Sequence, residues 1–216
     1  MLKKLLIIPY FGEYPEWMDK WIANMEYLKE YGYDYLLYSN LELFEERVRE
    51  TLRIEPSIQY GSGKAWDYRP ALATLFAKHI KKYDYWGHTD LDCVYGDVSK
   101  FIPDKELKEW EIWTNGTYIT GPWTLYKNCK KVNEAFRLCG NWQKRMESPI
   151  ASGWIEYEYD KVVKENLKVN YCLQQTKDWD NFDTLRFDDG KLYEGKKEVF
   201  LAHFRRTKQW PIHIKM

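Results

Sequence analysis

Short apolar runs alternating with amphipathic helical stretches constrain this 216-residue chain more than any other feature. Leu5 to Pro9 form an apolar run closed by Pro9, Gly12 and Pro15, the pattern of a buried strand that ends in a loop. Over residues 16–31, Trp17, Trp21, Met25 and Leu28 recur at helical spacing, and Gly32 stops the helix. YDYLLYSN reads as a second strand with a turn opening at Ser39 and Asn40, and LELFEERVRETL as a charged amphipathic helix. A third strand is expected around Ile58 to Tyr60, before a flexible GSGK loop. A helix over 68–82, with Leu72, Leu75, Phe76 and His79 on one face, leads into the strand YDYWGHT. Strands joined through helices need crossover connections, so they form a mainly parallel sheet that takes up ligands beyond the carboxyl ends of its strands.

The second half has a different rhythm. TYITGPWTLYKN reads as a strand, 129–146 and 154–166 as helices, and 183–203 as short strands around Asp189-Gly190, a strong hairpin dipeptide. Parallel units followed by hairpins predict one α/β domain over residues 1–216, Rossmann-like. Its mixed, mainly parallel central sheet is flanked by helices and followed by a C-terminal hairpin region.

Composition narrows the function. Basic and acidic residues balance at 33 each, which disfavours a nucleic-acid backbone as main partner. No apolar run reaches the ~20 residues of a membrane span. MLKKLLIIPYF has no small-residue cleavage site and reads as a first strand rather than a leader. Cys93, Cys129, Cys139 and Cys172 form no CxxC pair, and fit buried thiols of a reducing cytoplasm better than zinc ligands or disulfides. Aromatic residues reach 18%, with 11 Trp and 18 Tyr, and serve either as core rings or as stacking faces for sugars.

Asp90 and Asp92 stand one residue apart in YDYWGHTDLDCVYGD. Along a strand this spacing puts both carboxylates on one face, where they repel. Either a cation sits between them, or they lie where the strand ends and the chain turns into water. Hard cations such as Mg2+ or Mn2+ bridge one or two carboxylates to substrate phosphates, which would remove the repulsion.

The stretch from WDYRPALATLF through YDYWGHTDLDCVYGDVSKF resembles the core of GT-A glycosyltransferases. In layout it is similar to the retaining group that includes glycogenin and bacterial lipooligosaccharide galactosyltransferases. It also looks like small uncharacterised sugar transferases of surface-polysaccharide clusters. Members carry an Arg on a helix, a hydrophobic strand, Asp-x-Asp and then Gly-Asp; Arg69, Asp90, Asp92, Gly96 and Asp97 hold those places here. The family closes its domain with a His-aromatic segment followed by Lys and Trp, and residues 203–210 read HFRRTKQW. The resemblance implies metal ligation by Asp90, Asp92 and His203, with Asp90 on the metal or on the nucleotide ribose. It further implies that Lys208 meets the donor diphosphate, although Arg205 and Arg206 stand where the family has a glycine and offer alternatives. Outside the resemblance, a lone His in the apolar strand VFLAHF is by default a hydrogen-bonded core residue.

The resemblance also assigns a nucleotide-binding half to residues 1–100, and an acceptor-binding half with the metal-binding C-terminal segment to 101–216. Pro9, Tyr10 and Phe11 would cup the nucleoside, with Tyr10 either stacking on a base or packing in the core. Asn40 would read a base edge or simply make a turn. Lys64 would touch phosphate or stay solvated, and Arg69 would bind the donor or pair with Asp67. On the acceptor side, Gly121-Pro122-Trp123 offers an aromatic platform. Glu156, Glu158 and Asp160 are candidate catalytic acids, Glu156 and Asp160 sharing one helix face. The implied activity is transfer of a sugar from a nucleotide-diphosphate sugar, UDP first among them, to a glycan, glycolipid or other hydroxyl acceptor, with Mn2+ or Mg2+ as cofactor. A modified nucleic-acid base is an outlying acceptor. The expected location is cytoplasmic, or peripheral at the inner membrane face. Rival readings are a nucleotidyltransferase acting on a sugar phosphate and a non-catalytic carbohydrate-binding protein.

Overall fold

The computed structural model describes residues 1–172, 176–178 and 185–204. Its strands, in chain order, begin with β1 (Lys4–Pro9), β2 (Tyr33–Tyr38), β3 (Tyr85–Thr89), β4 (Cys93–Tyr95), β5 (Ile112–Thr114) and β6 (Trp123–Lys127). They continue with β7 (Val169–Tyr171), β8 (Thr176–Asp178), β9 (Leu185–Asp188), β10 (Lys191–Glu194), β11 (Lys197–Val199) and β12 (Leu201–His203). Helix α1 (Met18–Lys29) crosses from β1 to β2, and α2 (Leu41–Leu52) follows β2.

Six strands form the central sheet in the order β2-β1-β3-β6-β5-β7. β2, β1 and β3 are parallel, β6 runs antiparallel between β3 and β5, and β7 is parallel to β5. The expected mixed, mainly parallel sheet is therefore present. β1 reads as an unbroken apolar run because both faces of the sheet are covered. Leu5 and Ile7 pack with Phe44, Val48, Tyr68 and Leu72 on one side, and Leu6 and Ile8 with Trp21, Met25 and Leu28 on the other.

Helix α1 buries Trp21, Met25 and Leu28 as their spacing predicts, together with Asn24. The Asn24 amide accepts from the Tyr95 backbone N–H (2.7 Å) and donates to the Tyr95 carbonyl (2.9 Å), so it satisfies both polar groups of the β4 residue it covers. The Asp189-Gly190 turn joins β9 to β10 with φ of 46° and 72°, the paired positive values of a two-residue hairpin turn. β12 then leaves the hairpin layer and pairs antiparallel with β4, placing His203 opposite Cys93.

Five expected elements change. Ile54 and Ile58 are buried in the core, but residues 58–60 join no sheet; Pro56 nearby lacks the N–H that a ladder uses. The helix over 68–82 is a 3-10 segment, Gly63–Ala71, followed by two four-residue helices, Leu72–Leu75 and Ala77–Ile80. Pro70 lies inside the first piece and Phe76 breaks the second from the third, which turns His79 out to solvent. The helices over 129–146 and 154–166 are likewise interrupted, the first at Cys139-Gly140-Asn141 and the second at Tyr157. The strand over 117–128 starts only at Trp123, after Gly121-Pro122, and its partner β5 is too short to show a period. Of the four cysteines, Cys93 and Cys139 are buried, and Cys129 and Cys172 half-buried. Among the described residues no helix is long and apolar enough to cross a membrane.

A buried charge fixes the start of the sheet. Lys4 donates to Asp104 Oδ1 (2.6 Å) and to the Tyr31 carbonyl (3.0 Å), while its ammonium lies 4.7 Å from the Tyr33 ring centroid. Burial acts to raise the Asp104 carboxyl, but the bonds from Lys4 and the Leu2 amide outweigh it and hold the group below its ordinary value. A depressed carboxyl contributes stability above its unfolded value, about 3.9, and that stability is lost as pH falls through the folded value. Asp104→Asn leaves the Lys4 ammonium buried without its counter-charge and is expected to cost about 2–4 kcal/mol at neutral pH. It should also flatten the acid limb of the stability curve. Urea unfolding across the acid range measures both effects, and an unchanged acid limb would show that Asp104 is not its source.

Candidate functional site

β3 ends at Thr89 and β4 begins at Cys93, so Asp90, Leu91 and Asp92 form the turn between two strands rather than one strand face. Every carbonyl of this turn has a donor from elsewhere. Asp90 O accepts from Trp21 Nε1 (3.3 Å) and the Tyr95 hydroxyl (3.1 Å), Leu91 O from Trp17 Nε1 (2.8 Å), and Asp92 O from the Phe204 N–H (2.9 Å). Trp17 and Trp21 read in the sequence only as a buried helix face. Their indoles in fact fix the backbone that carries both acids.

The side chains answer the repulsion with separate partners. Arg69 Nη2 donates to Asp90 Oδ1, and Asp92 Oδ1 lies 3.3 Å from His203 Nε2. Gly121 backs the first pair: a Cβ there would fall 2.5 Å from Arg69 Nη1 and 3.0 Å from Asp90 Oδ2. Behind it, His88 is fully buried and donates from Nε2 to the Thr120 carbonyl (3.0 Å), which anchors the loop containing Gly121. Burial, helped by the nearby Arg69, pushes the His88 imidazole well below its ordinary value and keeps it neutral.

Arg69, Asp90, Asp92, Gly121 and His203 face a cavity of about 350 Å³ at the carboxyl ends of β1 and β3, lined also by Pro9, Tyr10, Trp66 and Glu156. This is the end of an open α/β sheet at which ligands bind. Asp92, Cys93 and His203 bring potential metal-ligating atoms within 4.8 Å of one another. Burial and the charges of Asp92 and Asp90 push the Cys93 thiol well up, so it stays protonated and is a poor ligand for a hard cation. A carboxylate together with an imidazole nitrogen suits Mn2+ better than Mg2+, which takes oxygen ligands. Asp90 stands outside that cluster, with one oxygen engaged by Arg69.

Several candidates belong to the scaffold instead. Lys64 is fully buried and donates to Asp67 Oδ2 (2.8 Å) and the carbonyls of Arg145 (2.5 Å) and Ile150 (3.4 Å). An ammonium with three acceptors has no proton left for phosphate. Asp67 is thereby taken, and Arg69 pairs with Asp90 rather than with it. Phe11 is 4% exposed and packs against Phe44 in the core, centroids 5.0 Å apart. Asn40 caps α2, its Oδ1 accepting from the Leu43 N–H at 2.9 Å. Glu158 pairs with Arg145. Asp160 accepts from the Ile119 N–H and the Tyr171 hydroxyl, both at 2.9 Å, and pairs with Lys164 at 2.6 Å. Glu156 and Asp160 do not share a helix, because the break at Tyr157 separates them; of the three acids, Glu156 lines the cavity. Trp123 is fully buried against Tyr33, Tyr95 and Phe200 and offers no platform.

Of the remaining motif residues, Gly96 lets the hairpin layer approach, since a Cβ would lie 2.8 Å from both Leu192 N and Val199 O. Asp97 caps the short helix Val98–Phe101 by accepting from the Lys100 N–H at 3.2 Å. Arg205, Arg206 and Lys208 lie outside the described residues.

The two cations on the segment before β3 should separate in mutagenesis. Lys64→Met strands a buried Asp67 and is expected to cost about 3–5 kcal/mol. Arg69→Met removes a hydrogen bond at a water-accessible carboxylate and should cost about 1–2 kcal/mol. Urea unfolding of both variants tests the assignment; equal stabilities would contradict it.

No curated protein matches the chain. Among solved structures it is similar to the crystal structure of a glycosyltransferase involved in glycosylation of the major capsid of PBCV-1. The TM-score is 0.50 at 15% identity, over 93% of this chain and 92% of that one, a likeness of fold. Residues 6–201 match a family of unknown function, DUF6625, and the chain belongs to that family.

Proposed function

We propose that this chain is a metal-dependent glycosyltransferase that uses a nucleotide-diphosphate sugar, UDP first among the nucleotides, and transfers the sugar to a hydroxyl acceptor. One observation carries the reading. A fold like that of a glycosyltransferase gathers Arg69, Asp90, Asp92 and His203 at the carboxyl end of its parallel strands, around a cavity large enough for a nucleotide.

Asp92 and His203 are the residues that would hold Mn2+ or Mg2+, and the ion supplies charge neutralisation for a departing diphosphate. Asp90 orients Arg69 toward the same diphosphate, with Gly121 leaving the pair room. Charge-assisted contacts of this kind contribute about 1.5–3 kcal/mol each. Tyr10 is held by its hydroxyl, which donates to the Glu13 carbonyl (2.8 Å), and by stacking on Tyr14, centroids 5.9 Å apart; its ring lies on the cavity wall, where it would meet a base. Glu156 is the acid placed to receive the acceptor. Arg205, Arg206 and Lys208 follow His203 in the sequence and add cations for the phosphates. Because the turn carbonyls are fixed by Trp17, Trp21 and Phe204, the acids need little reorganisation when charge develops on the leaving group.

Calorimetry with Mn2+ and UDP tests the reading, alongside a screen of nucleotide-sugars for release of free nucleoside diphosphate. The wild type should bind UDP only with the metal present. Asp92→Asn should fold normally and lose at least about 100-fold in metal-dependent affinity. Metal-independent UDP binding, or unchanged affinity in Asp92→Asn, would remove the metal from the site.

A further inference from the structure

Trp66 is the most exposed aromatic on the cavity wall, 52% accessible, yet it is not loose. Its ring presses on Gly63, where a Cβ would fall 2.8 Å from Cζ3 and 2.9 Å from Cε3. Gly63 has no positive φ, so it is the neighbouring ring, not the backbone conformation, that requires a glycine there. The Arg69 guanidinium lies 5.7 Å from the ring centroid, which ties the indole to the residue paired with Asp90. The chain thus holds a flat apolar face rigidly on the wall of a cavity that also carries charged groups. Glu156 stands on the same wall.

We infer that Trp66 is the stacking platform of an acceptor subsite for carbohydrate: its indole takes the apolar face of a pyranose ring, and Glu156 accepts a hydrogen bond from a ring hydroxyl. The inference rests on the glycosyltransferase reading above. A pyranose combines a C–H face with a polar rim, and an exposed indole with an acceptor-only carboxylate lining the same cavity matches both. A lipid tail or an apolar peptide side chain needs an enclosed apolar pocket. The cavity beside Trp66 is instead lined by Arg69, Asp90, Asp92, Glu156 and His203, whose charged and polar groups an apolar ligand would have to desolvate without compensation.

Saturation-transfer NMR tests this with methyl glycosides of glucose, galactose, mannose and N-acetylglucosamine, in the presence of Mg2+ and UDP. At least one glycoside should give a signal with the wild type. Its binding should weaken about tenfold in Trp66→Ala and be retained in Trp66→Phe, which keeps a stacking face. Gly63→Ala, which displaces the ring without removing it, should weaken it as well. The UDP signal in the same tube should persist in all variants. Absence of any glycoside signal, or signals that survive both Trp66→Ala and Gly63→Ala, overturn the subsite. Loss of the UDP signal in Trp66→Ala overturns it too, by making the indole a nucleobase platform. A wild type that binds a glycoside through Trp66 but ignores UDP supports the platform and defeats the nucleotide-sugar reading instead.

Discussion

Two carboxylates one residue apart repel unless each has its own partner, and much of this molecule is arranged around that requirement. Arg69 reaches Asp90 from the segment before β3, and His203 reaches Asp92 from β12, more than a hundred residues later in the sequence. Neither contact survives unless the turn itself is rigid. The indoles of Trp17, just before α1, and of Trp21, within it, the Tyr95 hydroxyl and the Phe204 amide hold its three carbonyls. The pairing of β12 with β4 therefore closes the longest loop in the site and delivers both His203 and a backbone donor in one step.

The parts of the fold visible in the sequence are those with a long, clean period. β1, α1, β2 and α2 follow from apolar runs and helical spacing, and the Asp189-Gly190 hairpin from its dipeptide. Shorter elements escape notice. β5 has only three residues, and the helices interrupted at Phe76, Gly140 and Tyr157 carry a helical pattern across breaks that tertiary packing imposes. Period alone cannot tell one continuous helix from two pieces that present successive faces to one core.

The candidate site was legible to the same degree. Asp90, Asp92, Arg69, His203, Pro9, Tyr10 and Glu156 do meet at one cavity. Lys64, Phe11, Asn40, Glu158 and Asp160 do not line it, because a charge or amide in a sequence gives no sign of whether a partner already claims it. Lys64 and Asp67 illustrate the point: three residues apart, they form a buried pair that holds the Arg145 and Ile150 carbonyls. Trp17, Trp21, Trp66 and Gly121 show the converse. A tryptophan that donates one hydrogen bond to a distant turn, or a glycine needed by a neighbouring arginine, leaves no periodic trace.

We propose that Asp92 and His203 are brought together to hold a divalent cation beside a nucleotide diphosphate. The direct measurement is anomalous X-ray scattering from crystals of the chain grown with MnCl2 and UDP. A manganese peak bonded to both the Asp92 carboxylate and His203 Nε2, with the diphosphate on its open side, is the expected result. UDP bound in the cavity with no manganese on Asp92, or manganese bound only elsewhere on the chain, would contradict it.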